Sequence, residues 1–224
     1  MHVANCGHRV ANRSLAHGLT GQRVIAHQER TQNKMADPTF GRYSEIPLDS
    51  MTAEQRAGYQ SIMKDRGICP GPYKIWVENP ALMKLMIPLG VYYRSGSELS
   101  EGEREIAVLL LLGKWGAAFP LSEHEWIAEG TSGYSKAGIP SEKVERIIAG
   151  LPVTFEDSGQ QVVYEVSAAL VNSRYVPKGL YDRAIKELGT NAVSDLAVIM
   201  GYFTMVAFTL MFHDVPSFAE GLKR

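Results

Sequence analysis

Glu105 and His124 are the residues in this 224-residue chain whose types and spacing point most directly to chemistry. Arg104-Glu105-Ile106-Ala107 sets an acid near a helix start, Trp115-Gly116-Ala117-Ala118-Phe119 supplies an elbow, and Glu123-His124-Glu125 follows. Folded as helix, elbow and helix, this stretch carries the carboxylate and the imidazole toward one another. Such a pair transfers protons near neutral pH, because each group tunes the charge of the other. Two plainer roles compete. Glu105 can be a first-turn acid that favours the helix dipole, worth about 0.3–1 kcal/mol. His124, flanked by two glutamates, can be a solvent-facing side chain.

The elements that must position this pair are helical. Hydrophobic spacing after residue 50 follows the helical period, with no clean two-residue alternation. Thr52-Ala53-Glu54-Gln55 and Ser100-Glu101-Gly102-Glu103 are capping-box sequences. They predict one helix through Met63 and another over 103–114. Between them, Gly67, Pro70, Gly71 and Pro72 mark an ordered loop. Pro80 opens a helix through Leu82, Leu85, Met86 and Leu89, with Pro88 expected to bend it. Ser141 is expected to cap a short helix carrying Val144, Ile147 and Ile148. The helical period continues over 162–171. Pro177 starts a further helix ending at Gly189, and Ser194 is expected to cap the last one. That last helix, over 196–212, is apolar all round, bounded by Asp195 and His213. It falls short of the roughly 20 residues a membrane span needs, so it reads as a core or subunit-interface helix. The expected fold class is all-α, a compact single-domain helical bundle.

Composition narrows the function further. A formal net charge of −1 leaves no basic footprint for nucleic acid. Two cysteines, Cys6 and Cys69, build neither a disulfide framework nor a Cys-x-x-Cys motif, which fits a reducing compartment and a cytoplasmic location. Residues 1–34 differ from the rest: His2, His8, His17 and His27 lie there with several arginines and a single acid, Glu29. They read as a disordered extension, a misplaced start ahead of Met35, or a mitochondrial transit peptide. The folded domain is expected over 35–224. A metal site from Glu105, His124, Glu125 and Glu129 is disfavoured, because His124 and Glu129 stand five apart rather than on one helix face. No metal and no cofactor are expected.

From about Tyr43 to Phe212 the residues resemble the carboxymuconolactone decarboxylase-like family, which includes the alkylhydroperoxidase D proteins. The resemblance is carried by Gly71-Pro72-Tyr73, Leu99-Ser100 leading into the Glu105 helix, the Trp115–Phe119 elbow, Glu123-His124-Glu125, Ala137-Gly138-Ile139, and Gly201-Tyr202-Phe203-Thr204. It implies a compact all-α fold whose subunits pair into trimers or hexamers. Peroxidase members carry a glutamate, a Cys-x-x-Cys and a histidine in one helix-elbow-helix unit. Glu105 and His124 match the first and last, while Ala117 and Pro120 stand where the two cysteines would fall. Alanine and proline supply no thiolate, so the resemblance favours the decarboxylase branch.

That branch implies a lyase or isomerase acting on a carboxylated lactone or enolisable acid. His124 would be the proton donor or base, with Glu105 assisting. Arg94 and Lys114 are expected to meet the substrate's charge, and Tyr92, Trp115, Phe119 and Tyr202 to wall the pocket. The partners expected are a small-molecule substrate and further copies of the chain, with no nucleic acid and no membrane. A peroxidase and a non-catalytic oligomeric scaffold are the alternatives. The spacing from His124 to Ala137-Gly138, with Gly130 and Gly133 inside it, exceeds the family's. It implies either an inserted loop that reshapes the pocket mouth or a short histidine helix.

Overall fold

The computed structural model describes residues 37–217 and 219, apart from 132, 134 and 174. The expected extension over 1–34 lies outside the described residues. Eight α-helices are present among those described, with no strand beyond an isolated bridge between Phe40 and Tyr43. They are α1 (Ala53–Arg66), α2 (Tyr73–Trp76), α3 (Pro80–Ser95), α4 (Glu101–Trp115), α5 (Ala118–Ala128), α6 (Ser141–Ile148), α7 (Ser158–Asn172) and α8 (Lys178–Phe212).

The centre of the bundle is α4. Ile106 through Leu112 are all buried, so this helix is apolar around its whole circumference. A helix of that kind has no face to give to water and must be surrounded. It contacts α5, α6, α7 and α8, while α1 packs on α3. Each fully buried leucine or isoleucine contributes about 1.5–3 kcal/mol, which makes α4 the main source of cohesion. Both predicted capping boxes form: Thr52 Oγ1 accepts from Gln55 N at 3.2 Å, and Ser100 Oγ accepts from Glu103 N at 3.3 Å.

Two expected caps are corrected. Ser141 is the first residue of α6 rather than its cap, which is Pro140. Ser194 lies within α8 and donates its hydroxyl to the Thr190 carbonyl at 2.9 Å. The break in α8 sits at Gly189, whose φ of 79° and ψ of 167° no helix contains, and the chain resumes its helix directly afterwards. The glycine stop was therefore placed correctly and the restart came earlier than the serine suggested. By length and composition α8 could cross a membrane, but half of its most apolar window is buried within the fold.

On α3, Met83, Met86, Gly90 and Tyr93 form the buried stripe. Gly90 is required there, since an added Cβ would overlap the Tyr73 hydroxyl and come within 3.2 Å of the Tyr202 hydroxyl. Gly90→Ala should destabilise the protein by about 1–3 kcal/mol through overpacking. Urea unfolding reads this, and an unchanged midpoint contradicts the packing described.

Candidate active site

The elbow between α4 and α5 is built by glycine. Gly116 closes α4 in the left-handed conformation, φ 64° and ψ 33°, which costs glycine little. Its N–H returns to Gly113 and Leu112 carbonyls, and Ala117 N donates to the Leu112 carbonyl at 3.2 Å. The chain then reverses into α5. Ala117 is fully buried at the bend, and Phe119 packs edge-on against Phe40 with centroids 5.3 Å apart.

This reversal brings Glu105 and His124 together. Glu105 Oε2 lies 2.7 Å from His124 Nδ1, with 6% and 13% of the two side chains exposed. The first-turn acids of α4 are Glu101 and Glu103, whereas Glu105 sits one turn deeper and is buried. Neither the dipole role for Glu105 nor the solvent-facing role for His124 describes what is seen. The second carboxylate oxygen, Oε1, accepts the Tyr93 hydroxyl at 3.2 Å. An ionised carboxylate only accepts, so with Glu105 ionised the contact calls for a proton on His124 Nδ1. Phe203 stands edge-on to the imidazole, centroids 4.7 Å apart, and limits its tilt. Burial, followed by the Glu105 charge, pushes the Tyr93 phenol well above its usual range, so it stays a donor.

The pair opens onto a cavity of about 480 Å³, within the roughly 300–1,000 Å³ common for small-molecule sites. Phe119, Pro120, Ile127, Phe203, Val206 and Leu210 give it apolar walls. Arg66, Arg94 and Arg104 bring positive charge, and Asp65, Glu101 and Glu123 bring negative charge. Tyr73 and Tyr202, whose hydroxyls are 3.0 Å apart, complete one side. Ser135 also lines it and donates to Glu101 Oε2 at 3.1 Å. The backbone N–H of Lys136, aided by Ser135 and by the Arg104 charge, holds the Glu101 carboxyl below the usual carboxylate range. Helix α5 runs past His124 to Ala128, and Ser135, before Ala137, lies at the cavity wall.

Of the sequence-derived residues, His124, Glu105, Arg94, Phe119 and Tyr202 line the cavity. Three do not. Lys114 lies at the far end of α4 and donates to Asn172 at 3.2 Å. Trp115 beside it is 40% exposed and packs on Phe208, centroids 5.0 Å apart. The Tyr92 hydroxyl donates to Asp195 at 2.6 Å, tying α3 to α8 away from the site. Tyr93, Arg66 and Arg104 were missed. Tyr93 was within reach, because it continues the Met83, Met86, Gly90 spacing. Arg66 carries no local signal, since its place depends on how α1 meets the loop after it.

Among the described residues no group of three or more His, Cys, Asp or Glu could hold a metal ion. The one described cysteine, Cys69, lines a separate cavity with Lys74 and Val77. Burial pushes its thiol up to about 12.

Solved structures share this architecture. An uncharacterized peroxidase-related protein from Silicibacter sp. TM1040 matches with a TM-score of 0.62 at 17% identity, over 81% of this chain and 94% of its own. An uncharacterized peroxidase-related protein from Ralstonia eutropha JMP134, an alkylhydroperoxidase AhpD core, matches with a TM-score of 0.58 at 14% identity, over 79% and 91%. No family model matches the sequence, and no curated protein does. The chain therefore has the AhpD-like helical fold, as the resemblance implied.

Iodoacetamide should alkylate Cys69 at pH 8 at least about a hundredfold more slowly in the folded protein than in urea, because only the thiolate reacts. Peptide mapping separates it from Cys6. Comparable rates in the two states would refute the sheltered thiol.

Proposed function

We propose that this protein is a cofactor-free small-molecule lyase or isomerase, using acid–base chemistry on a carboxylated lactone or related enolisable acid. The observation that supports this best is the 2.7 Å contact between Glu105 and His124 in the wall of a cavity lined by both polar and apolar side chains. A carboxylate on Nδ1 fixes the tautomer and stabilises the imidazolium, which leaves Nε2 for the substrate.

In the decarboxylating form, the bond from ring carbon to the departing carboxylate breaks. Its electron pair moves through the unsaturated lactone toward the carbonyl oxygen, and carbon dioxide leaves. Protonated His124 then gives its Nε2 proton to carbon at the far end of the shifted double bond and regains one from solvent. An isomerase would run the same dyad in two directions, with neutral His124 taking an α-proton and returning it elsewhere. A developing enolate needs a positive charge or a donor nearby, a role that Arg104 in the cavity wall could fill. Positioned acid–base groups contribute about 10²–10⁴-fold in rate.

A peroxidase is the alternative named by the two similar structures. Its dithiol chemistry has no counterpart among the described residues, because Ala117 and Pro120 stand where the resemblance would place the cysteines and Cys69 lines another cavity. A scaffold without catalysis would use the buried acid, imidazole and phenol only to join helices, and gives no reason for the cavity beside them. The proposed working form is a homo-oligomer, a trimer or hexamer, for which exposed Met205, Phe208, Met211 and Phe212 on α8 offer an apolar surface. Its proposed setting is the cytoplasm, with mitochondria the alternative if the basic first 34 residues direct import.

Carboxylated unsaturated lactones and enolisable keto acids, followed by proton NMR in deuterated water, test the proposal. His124→Gln and Glu105→Gln, with helicity retained, should slow turnover at least about tenfold, the smaller end of acid–base contributions. A His124→Gln protein with undiminished turnover would overturn it, as would a wild type inert toward every member of both classes.

A further inference from the structure

The cavity carries more charge than proton transfer needs, and one cluster in its wall is incomplete. Asp65 and Arg66 end α1, Arg94 lies in the last turn of α3, and all three line the cavity. Asp65 Oδ2 accepts a hydrogen bond from Arg94 Nη2. The same oxygen stands 3.8 Å from Arg66 Nε, too far for a second bond. Arg66 Nε is buried and has no hydrogen-bond partner, although its guanidinium lies over the Tyr73 ring at 5.5 Å. Two guanidiniums thus share one carboxylate, leaving a positive charge unneutralised and a buried donor unsatisfied.

Arg104 differs. It donates to the Leu99 carbonyl at 2.7 Å and sits beside Glu101, whose carboxyl it helps hold low. The positive end of the cavity is therefore the Arg66–Arg94 pair. Glu101, Glu105 and Glu123 line the cavity as well and oppose a second negative charge on any occupant. The rings of Phe119, Tyr202 and Phe203, with Ile127, Val206 and Leu210, line the same cavity. Such walls favour a flat or cyclic apolar body.

We propose that Arg66 and Arg94 form a carboxylate subsite completed by the ligand, and that the cavity selects cyclic monocarboxylic acids. Asp65 holds the two arginines in place and limits the charge they accept to one carboxylate. The inference rests on the acid–base proposal only in taking the same cavity as the substrate's, and it names which charged groups meet the substrate. Lys114, placed elsewhere, has no part in it.

Calorimetric titration of the full-length protein with benzoate, benzamide and phthalate tests the subsite without any knowledge of the substrate. Wild type should bind benzoate at least about tenfold more tightly than neutral benzamide, since charge-assisted bonds are the stronger ones. Dianionic phthalate should bind more weakly than benzoate. Arg66→Gln and Arg94→Gln should each weaken benzoate about tenfold, as expected for loss of a charge-assisted contact, and leave benzamide unchanged. Asp65→Asn should tighten benzoate and lessen the penalty on phthalate. Equal binding of benzoate and benzamide by wild type would overturn the subsite whatever the variants do. Benzoate affinity indifferent to both arginine substitutions would also overturn it. Benzoate binding is read without any turnover, so loss of the anion site and loss of proton transfer register in different measurements.

Discussion

The contact between Glu105 and His124 is the constraint around which the rest of the described fold is arranged. A carboxylate on a residue only 4% exposed is costly to hold unless its lone pairs are met. Here His124 meets one oxygen and Tyr93 the other. Removing one partner of a buried pair typically costs about 3–5 kcal/mol, because the other charge is stranded. The contact therefore binds α5 to α4 across the elbow and, through Tyr93, binds α3 to both. It requires a chain reversal directly after Trp115, which Gly116 provides at positive φ. It also requires α4 to hold a fixed axial position, which its own apolar circumference and the Ser100–Glu103 cap provide.

The architecture was largely legible because helix signals are local. Thr52, Ser100 and Pro80 announced their helices through short-range hydrogen bonding and fixed φ, and Gly189 announced a break. Ser141 and Ser194 misled for the same reason. A serine hydroxyl can cap a helix or turn back on the helix's own carbonyls, and Ser194 does the second.

The site divides along similar lines. Glu105 and His124 were readable because one elbow joins them. Lys114 and Trp115 failed by translation: nine or ten residues of α-helix carry them roughly 14 Å beyond Glu105. Tyr92 failed by rotation, since one residue along a helix turns the side chain about 100° and exchanges the inner stripe for the outer face. Arg66 and Arg94 belong to different helices joined only in the folded state, so no spacing within either could reveal their shared carboxylate. At and just past the elbow, Ala117 and Pro120 offer no thiol, so the proposed chemistry rests on Glu105 and His124.

The central claim is most directly tested by nitrogen-15 NMR of His124, with the resonance assigned by comparison with His124→Gln. Nδ1 should be protonated in the neutral ring, hydrogen-bonded to the Glu105 carboxylate, and Nε2 should be the nitrogen that gains and loses its proton. A neutral ring protonated on Nε2, or one exchanging freely between tautomers as in water, would contradict it.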